Sequence, residues 1–125
     1  MANVLVVDDD PAIRRVLRLR FERAGHVVDE AASGFEALTA INQGRRPDAV
    51  VCDVLMPGMN GLDFYRRLAE EVPALKKRVV FLTGANREPA VADRIEQLGV
   101  PLLGKHDDLQ LVVDAVRVAL LVPAE

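Results

Sequence analysis

Asp8 and Asp9 close the first apolar run of the chain, and Asp53 closes the third. Runs of this length, alternating with amphipathic segments, read as parallel strands joined by helices. The strands of such a sheet finish at one edge, where ligand sites of open α/β folds form. Three carboxylates are therefore expected to meet there. They repel one another unless a cation sits among them or one takes up a proton. Carboxylate oxygens are hard donors, and Mg²⁺ commonly takes one or two of them together with phosphate and water. The cluster predicts a Mg²⁺ site, and Mg²⁺ points to phosphate chemistry.

The positioning elements are read from periodicity and punctuation. Asn3 to Val7 forms the first strand. Asp10 caps a helix that Pro11 opens, with Ile13, Val16, Leu17, Phe21 and Ala24 at core spacing and Gly25 at its end. His26 to Ala31 reads as a second, shorter strand. Ser33 caps the next helix, with Phe35, Leu38 and Ile41 facing the core and Gly44 closing it. Asp48 to Cys52 is the third strand, and Met56 to Gly61 is a loop by its turn chemistry.

A helix from about Leu62 to Glu71 buries Leu62, Tyr65, Leu68 and Ala69. Val79 to Leu82 is the fourth strand and ends at Thr83-Gly84. Pro89 opens a helix whose core face is Val91, Ile95 and Leu98. Val100 to Leu103 is a short fifth strand, followed by Lys105 and a last helix from about Asp107. Five βα units imply an α/β three-layer sandwich with a parallel five-stranded sheet between helices. Thr83 and Lys105 then share the sheet edge with the aspartates.

Composition bounds the function. At 125 residues, 50% hydrophobic and 28% charged, the chain is expected to be one soluble domain with its own core and no separate output domain. A net charge of -3 gives no electrostatic basis for nucleic-acid binding. No stretch reaches the roughly 18 apolar residues of a membrane span, and none resembles a signal peptide. Cys52 is the sole cysteine, so no internal disulfide is possible and a cytoplasmic location is expected. Within an apolar strand, Cys52 reads as a small core residue.

The pair Asp8-Asp9, the loop Asp53-Val-Leu-Met-Pro-Gly-Met-Asn-Gly61, Thr83 and Lys105 stand in order along the chain. With them the chain resembles a receiver domain of two-component response regulators over essentially its whole length. The resemblance implies a flavodoxin-like strand order of 2-1-3-4-5. It implies that Asp53 accepts a phosphoryl group from a phosphohistidine donor. It also implies that Mg²⁺ is held by Asp9, Asp53 and the Leu55 backbone carbonyl, with Asp8 acting through a metal-bound water. Lys105 and Thr83 then contact phosphoryl oxygens. A domain of this kind catalyses only its own phosphoryl transfer and loss. Its implied partners are a sensor histidine kinase or histidine phosphotransfer protein, and a downstream protein target.

Three positions depart from that family. His106 follows Lys105 where most members have proline with a cis bond; a non-prolyl cis bond costs about 2.5–4 kcal/mol, so a trans or altered turn is expected. Such a turn leaves the Lys105 ammonium open to displacement. Leu102 replaces a common aromatic, which removes an inward-swinging ring, and Gly84 widens the space after Thr83. Gly58 and Gly61 serve backbone geometry. Leu55 and Ala85 offer no polar side chain to position hydrolytic water, which predicts slow self-hydrolysis of a phosphoaspartate.

Two surfaces stand out. The last helix carries only Gln110, Asp114 and Arg117 as polar residues between Leu109 and Val122. Part of the set Leu111, Val112, Val113, Val118, Leu121 and Val122 is expected to stay exposed as a partner or homodimer contact. The first helix instead presents Arg14, Arg15, Arg18 and Arg23, where the resemblance implies kinase docking and a solvated basic face is the plainer reading. Other chemistries fit less well. A flavin phosphate meets three aspartates in the first loop, and a haloacid-dehalogenase-type phosphatase lacks its second acid because Leu55 stands there. The alternative that remains is an interaction module that works without phosphorylation.

Overall fold

The central strands of this chain are apolar at successive positions up to their last residue, as strands buried on both faces require, whereas the edge strand near the N-terminus carries Asp29 and Glu30. The computed structural model describes residues 1–84 and 88–121. They form β1 (Asn3–Val7), α1 (Pro11–Arg23), β2 (Val27–Ala31), α2 (Gly34–Asn42), β3 (Ala49–Asp53), α3 (Gly61–Glu71), β4 (Val79–Thr83), α4 (Pro89–Leu98), β5 (Leu102–Gly104) and α5 (Leu109–Ala119). A single 3-10 turn, Pro73–Leu75, joins α3 to β4. The sheet is parallel throughout, in the order β2-β1-β3-β4-β5.

Register places the chemistry. Val7 pairs with Cys52, so Asp8 and Asp53 follow at adjacent strand ends. Asp53 pairs with Leu82, and Thr83 pairs with Gly104, which sets Thr83 and Lys105 on the same rim. Leu5 and Val7 face a core built with Leu38, Phe64 and Ile95 of α2, α3 and α4. Val4 and Val6 face the opposite core, with Leu17 and Phe21 of α1 and Val112 and Val116 of α5. Three layers result.

The caps fall where the sequence places them for α1 and α2. Asp10 accepts from the Ala12 amide at 2.9 Å, and Ser33 accepts from the Glu36 amide at 3.1 Å. Several expected core positions do not. Val16 (42% exposed), Ala24 and Phe35 (54% exposed) lie outward. The α1 helix packs through Leu17 and Phe21, four residues apart, and Val16 is turned away by about 100°. Gly34 takes the inward place in α2, where a Cβ would stand 2.9 Å from Met59 Sδ. Phe35 instead covers the β3–α3 loop at Gly58.

Asn60 caps α3 through the Asp63 amide at 2.9 Å, so the helix starts earlier than expected and buries Phe64 completely beside Tyr65 and Leu68. The third strand runs one residue further, through Asp53 itself, and the fifth is shifted to Leu102–Gly104. The last helix begins at Leu109 under an Asp108 cap rather than at Asp107. Within it Val112 and Val113 are buried, while Leu111, Val118 and Leu121 are exposed. Ala85 and Val122 lie outside the described residues.

Gly61 permits the tightest approach in the fold's functional edge. A Cβ there would lie 2.5 Å from Asp53 O and 3.0 Å from Val54 Cα, both backbone atoms. The Gly61 amide also donates to Val54 O at 2.8 Å, which ties α3 to the end of β3. Gly61→Ala gains about 1 kcal/mol of helix propensity and loses more to overpacking that only a backbone shift relieves, with a net cost of about 2 kcal/mol. Urea unfolding checks this, and a variant as stable as the parent contradicts it.

Candidate functional site

Four strand ends, those of β1, β3, β4 and β5, build the site. Asp8 leaves β1 with its amide donating to Ala31 O at 3.1 Å, so the β1–β2 ladder runs into the acidic loop. Its side chain is turned inward and buried, and its Oδ1 accepts from the Asp10 amide at 2.9 Å. Asp53 is buried at the end of β3, with Oδ1 accepting from the Leu55 amide at 3.2 Å. Asp9 is exposed above them. One carboxylate oxygen from each of Asp8, Asp9 and Asp53 lies within 4.8 Å of the others.

One cation faces this cluster among the described residues. Lys105 Nζ stands 2.9 Å from Asp53 Oδ2 and 3.0 Å from Asp8 Oδ2. The turn that carries His106 leaves the ammonium on both carboxylates. Every peptide bond among the described residues is trans. Asp8 Oδ2, though buried and close to the ammonium, takes no aligned hydrogen bond from any described residue.

Burial pushes the Asp8 carboxyl above the usual range, against the Asp10 amide and Lys105 and with added repulsion from Asp9. Burial also raises Asp53; Lys105 opposes the rise and the Asp8 charge adds to it. For Lys105, burial acts downward but Asp53 and Asp8 together outweigh it, so its affinity for a proton is increased. The Cys52 thiol is pushed far up, first by burial and then by Asp53 and Asp8. It is a core residue, protonated and unsuited to act as a nucleophile.

An all-oxygen donor set with more carboxylates than cations fits Mg²⁺. The underused Asp8 Oδ2 in a buried position fits it further, since such an atom costs free energy until a partner arrives. Leu55 sits two residues after Asp53, its side chain half exposed. Thr83 is buried at the end of β4, where its carbonyl accepts from the Lys105 amide at 2.8 Å. Beside it a cavity of about 10 Å³ is lined by Val54, Leu55, Thr83, Val91 and Leu102. Leu102 occupies the expected aromatic position with a half-buried aliphatic side chain.

Sequence reasoning missed the residues that hold the site's backbone. Arg14, read only as part of a basic face, donates from Nη1 to the Asp8 carbonyl at 2.6 Å. Glu30 at the end of β2 braces it at 3.1 Å and binds Arg18 at 2.6 Å. The spacing offered one clue: Arg14 lies one helical turn beyond Asp10, on the side of α1 that faces the loop. Arg15 and Arg23 remain exposed, as a solvated face requires.

A parallel sheet of order 2-1-3-4-5, carrying an acidic cluster and a lysine at its carboxyl edge, defines a flavodoxin-like domain whose three clustered carboxylates could hold a metal ion. Residues 4–117 match the response regulator receiver domain. The chain belongs to that family. It is 33% identical over 88 residues to protein PilH of Pseudomonas aeruginosa, covering 70% of this chain and 72% of PilH. It is 36% identical over 98 residues to the transcriptional regulatory protein AfsQ1 of Streptomyces coelicolor, covering 77% of this chain but 41% of AfsQ1.

Among solved structures, the chemotaxis protein CheY4 of Vibrio cholerae superposes with a TM-score of 0.81 at 28% identity, covering 95% of this chain and 98% of that one. A response regulator receiver domain protein from Clostridium thermocellum gives a TM-score of 0.85 at 25% identity, covering 97% of this chain and 95% of its own. Among the described residues, no helix is long and apolar enough to cross a membrane.

Proposed function

We propose that this receiver accepts a phosphoryl group on Asp53 from the phosphohistidine of a sensor kinase or phosphotransfer protein, and signals through a changed binding surface. The observation that carries this reading is the Lys105 ammonium bridging Asp53 and Asp8 at 2.9 and 3.0 Å beside an exposed Asp9. An Asp53 carboxylate oxygen attacks phosphorus as the bond from phosphorus to the donor imidazole nitrogen breaks. The nitrogen keeps the electron pair, and no proton need leave Asp53, which reacts as the anion.

Phosphoryl transfer depends mainly on positioning and charge neutralisation. Lys105 already contacts the acceptor oxygen and is free to follow the negative charge onto a phosphoryl oxygen. Asp9, Asp53 and the Leu55 carbonyl, with Asp8 through a water, would hold Mg²⁺, which supplies further neutralisation of those oxygens. The Thr83 hydroxyl serves another oxygen, and its movement is sensed by Leu102 and Val91 across the small cavity. The exposed Leu111, Val118 and Leu121 give α5 an apolar face for a target protein or a second copy. The chain works as a cytoplasmic signalling module whose chemistry is confined to its own Asp53, without contact with nucleic acid.

Incubation with Mg²⁺ and acetyl phosphate, followed by intact mass, tests the reading beside Asp53→Ala. One phosphoryl adduct on the parent and none on Asp53→Ala is expected. A parent protein that stays unmodified while binding Mg²⁺ favours the phosphorylation-independent module instead.

A further inference from the structure

Lys105 keeps its place although no proline follows it, and the turn that carries it shows how. Gly104 is the last residue of β5, paired with Thr83. The Asp107 amide donates to Gly104 O at 3.1 Å, closing a four-residue turn through the main chain. The Gly104 amide donates back to Asp107 Oδ2 at 2.9 Å, closing the same turn through a side chain. The fit is tight: a Cβ on Gly104 would meet Asp107 Oδ2 at 2.9 Å and Cγ at 3.2 Å. On the other flank the Lys105 amide donates to Thr83 O at 2.8 Å.

The neighbouring Asp108 has a separate task. Its Oδ1 accepts from the Gln110 amide at 2.9 Å and caps α5, so it takes no part in closing the turn. Asp107 is exposed, and a solvated carboxylate needs no main-chain partner. Its bond to Gly104 instead stiffens the segment from which a long, flexible side chain reaches two buried carboxylates. A lysine ammonium on a loose turn spreads over several positions, and placement to within about 0.5 Å is what such a site requires.

We infer that Asp107 is a positioning residue: it clamps the Gly104–Asp107 turn and thereby holds the Lys105 ammonium on Asp53 and Asp8. Its consequence for phosphorylation rests on the proposed role of Lys105, whereas its consequence for the ammonium itself does not.

The test compares Asp107→Ala and Asp107→Asn with the parent, and repeats Asp107→Ala in a Lys105→Met background. Asparagine keeps an acceptor oxygen and removes the charge, which separates the clamp from any field at the start of α5. The first readout is the ¹⁵N resonance of the Lys105 ammonium, without Mg²⁺ or phosphate donor. It is expected to shift or broaden in Asp107→Ala and to stay in place in Asp107→Asn. The second is the rate of Mg²⁺-dependent phosphorylation by acetyl phosphate. Asp107→Ala is expected to slow it about tenfold, short of the hundredfold that a displacement of about 1 Å can cost. Asparagine is expected to restore it, and Asp107→Ala to add nothing once Lys105 is methionine. An unmoved ammonium resonance, or an equal loss of rate in both backgrounds, overturns the inference. If the parent takes up no phosphoryl group, the functional reading fails, and the ammonium resonance still decides the clamp.

Discussion

Lys105→Met lowers the stability of the metal-free protein by about 3 kcal/mol at neutral pH, the scale of stripping one partner from a buried ion pair. Methionine keeps most of the stem volume, so the loss is electrostatic. Asp8 and Asp53 are 1% and 3% exposed, and the ammonium touches both, so its removal leaves two desolvated carboxylates facing each other. An exposed pair behaves differently. Arg45 and Asp29 approach to 2.7 Å with side chains 63% and 45% exposed, and Arg45→Met is expected to cost under about 1 kcal/mol. Urea unfolding of both variants in chelator checks the contrast, and equal losses contradict it. Added Mg²⁺ recovers more stability in Lys105→Met than in the parent, because the two cations relieve the same repulsion.

Asp53→Asn shifts stability the other way, by about 1 kcal/mol in favour of the metal-free fold at neutral pH. Asp8 and Asp53 both have folded values above the ordinary 3.8, chiefly because they are buried. From the ordinary value up to the raised one the folded state binds more protons than the unfolded chain. The contribution of these two carboxyls is therefore most favourable in acid and falls as pH rises from the ordinary value through the folded ones, leaving a deficit at neutral pH, while Glu30, held below its ordinary value by Arg18 and Arg14, contributes with the opposite sign. Lys105 has its own window. Its raised value gives stability that is complete below the ordinary 10.5 and is lost as pH rises from there through the folded value. Asparagine at 53 removes one of the two carboxylate penalties and leaves Lys105 paired with Asp8. The acid-to-neutral slope of stability is then shallower than in the parent. Urea midpoints across that range measure it, and a variant less stable than the parent at neutral pH contradicts the account.

Much of the sheet edge was readable from the apolar runs, because a strand buried on both faces has no polar positions until it leaves the core. That is why Asp8 and Asp53 mark strand ends so clearly, and why Thr83 and Lys105 fall beside them. Strand order is different. Periodicity says nothing about which strands pair, and the order 2-1-3-4-5 came through the family resemblance. Helix faces were read less well where a neighbour decides the outcome. Phe35 points outward because Met59 leaves room only for Gly34, and Phe64 is buried because it stands one turn before Leu68 on the face of α3 that joins the core with Phe81.

The site's supports were the least legible part. Arg14 reaches the Asp8 carbonyl, and Asp107 reaches the Gly104 amide, through contacts that exist only once the chain is folded. As residue types they are an ordinary helix arginine and a loop aspartate. The proline expected after Lys105 drew attention to the covalent turn, while this chain holds the same lysine with a pair of hydrogen bonds.

The central claim is that Asp53 itself becomes the acyl phosphate. Protein treated with acetyl phosphate and Mg²⁺, then reduced with borohydride and digested, reports the modified residue as homoserine. The account predicts homoserine at position 53, dependent on Mg²⁺ and absent from untreated protein. Modification at another residue, or none in Mg²⁺-saturated protein, contradicts it.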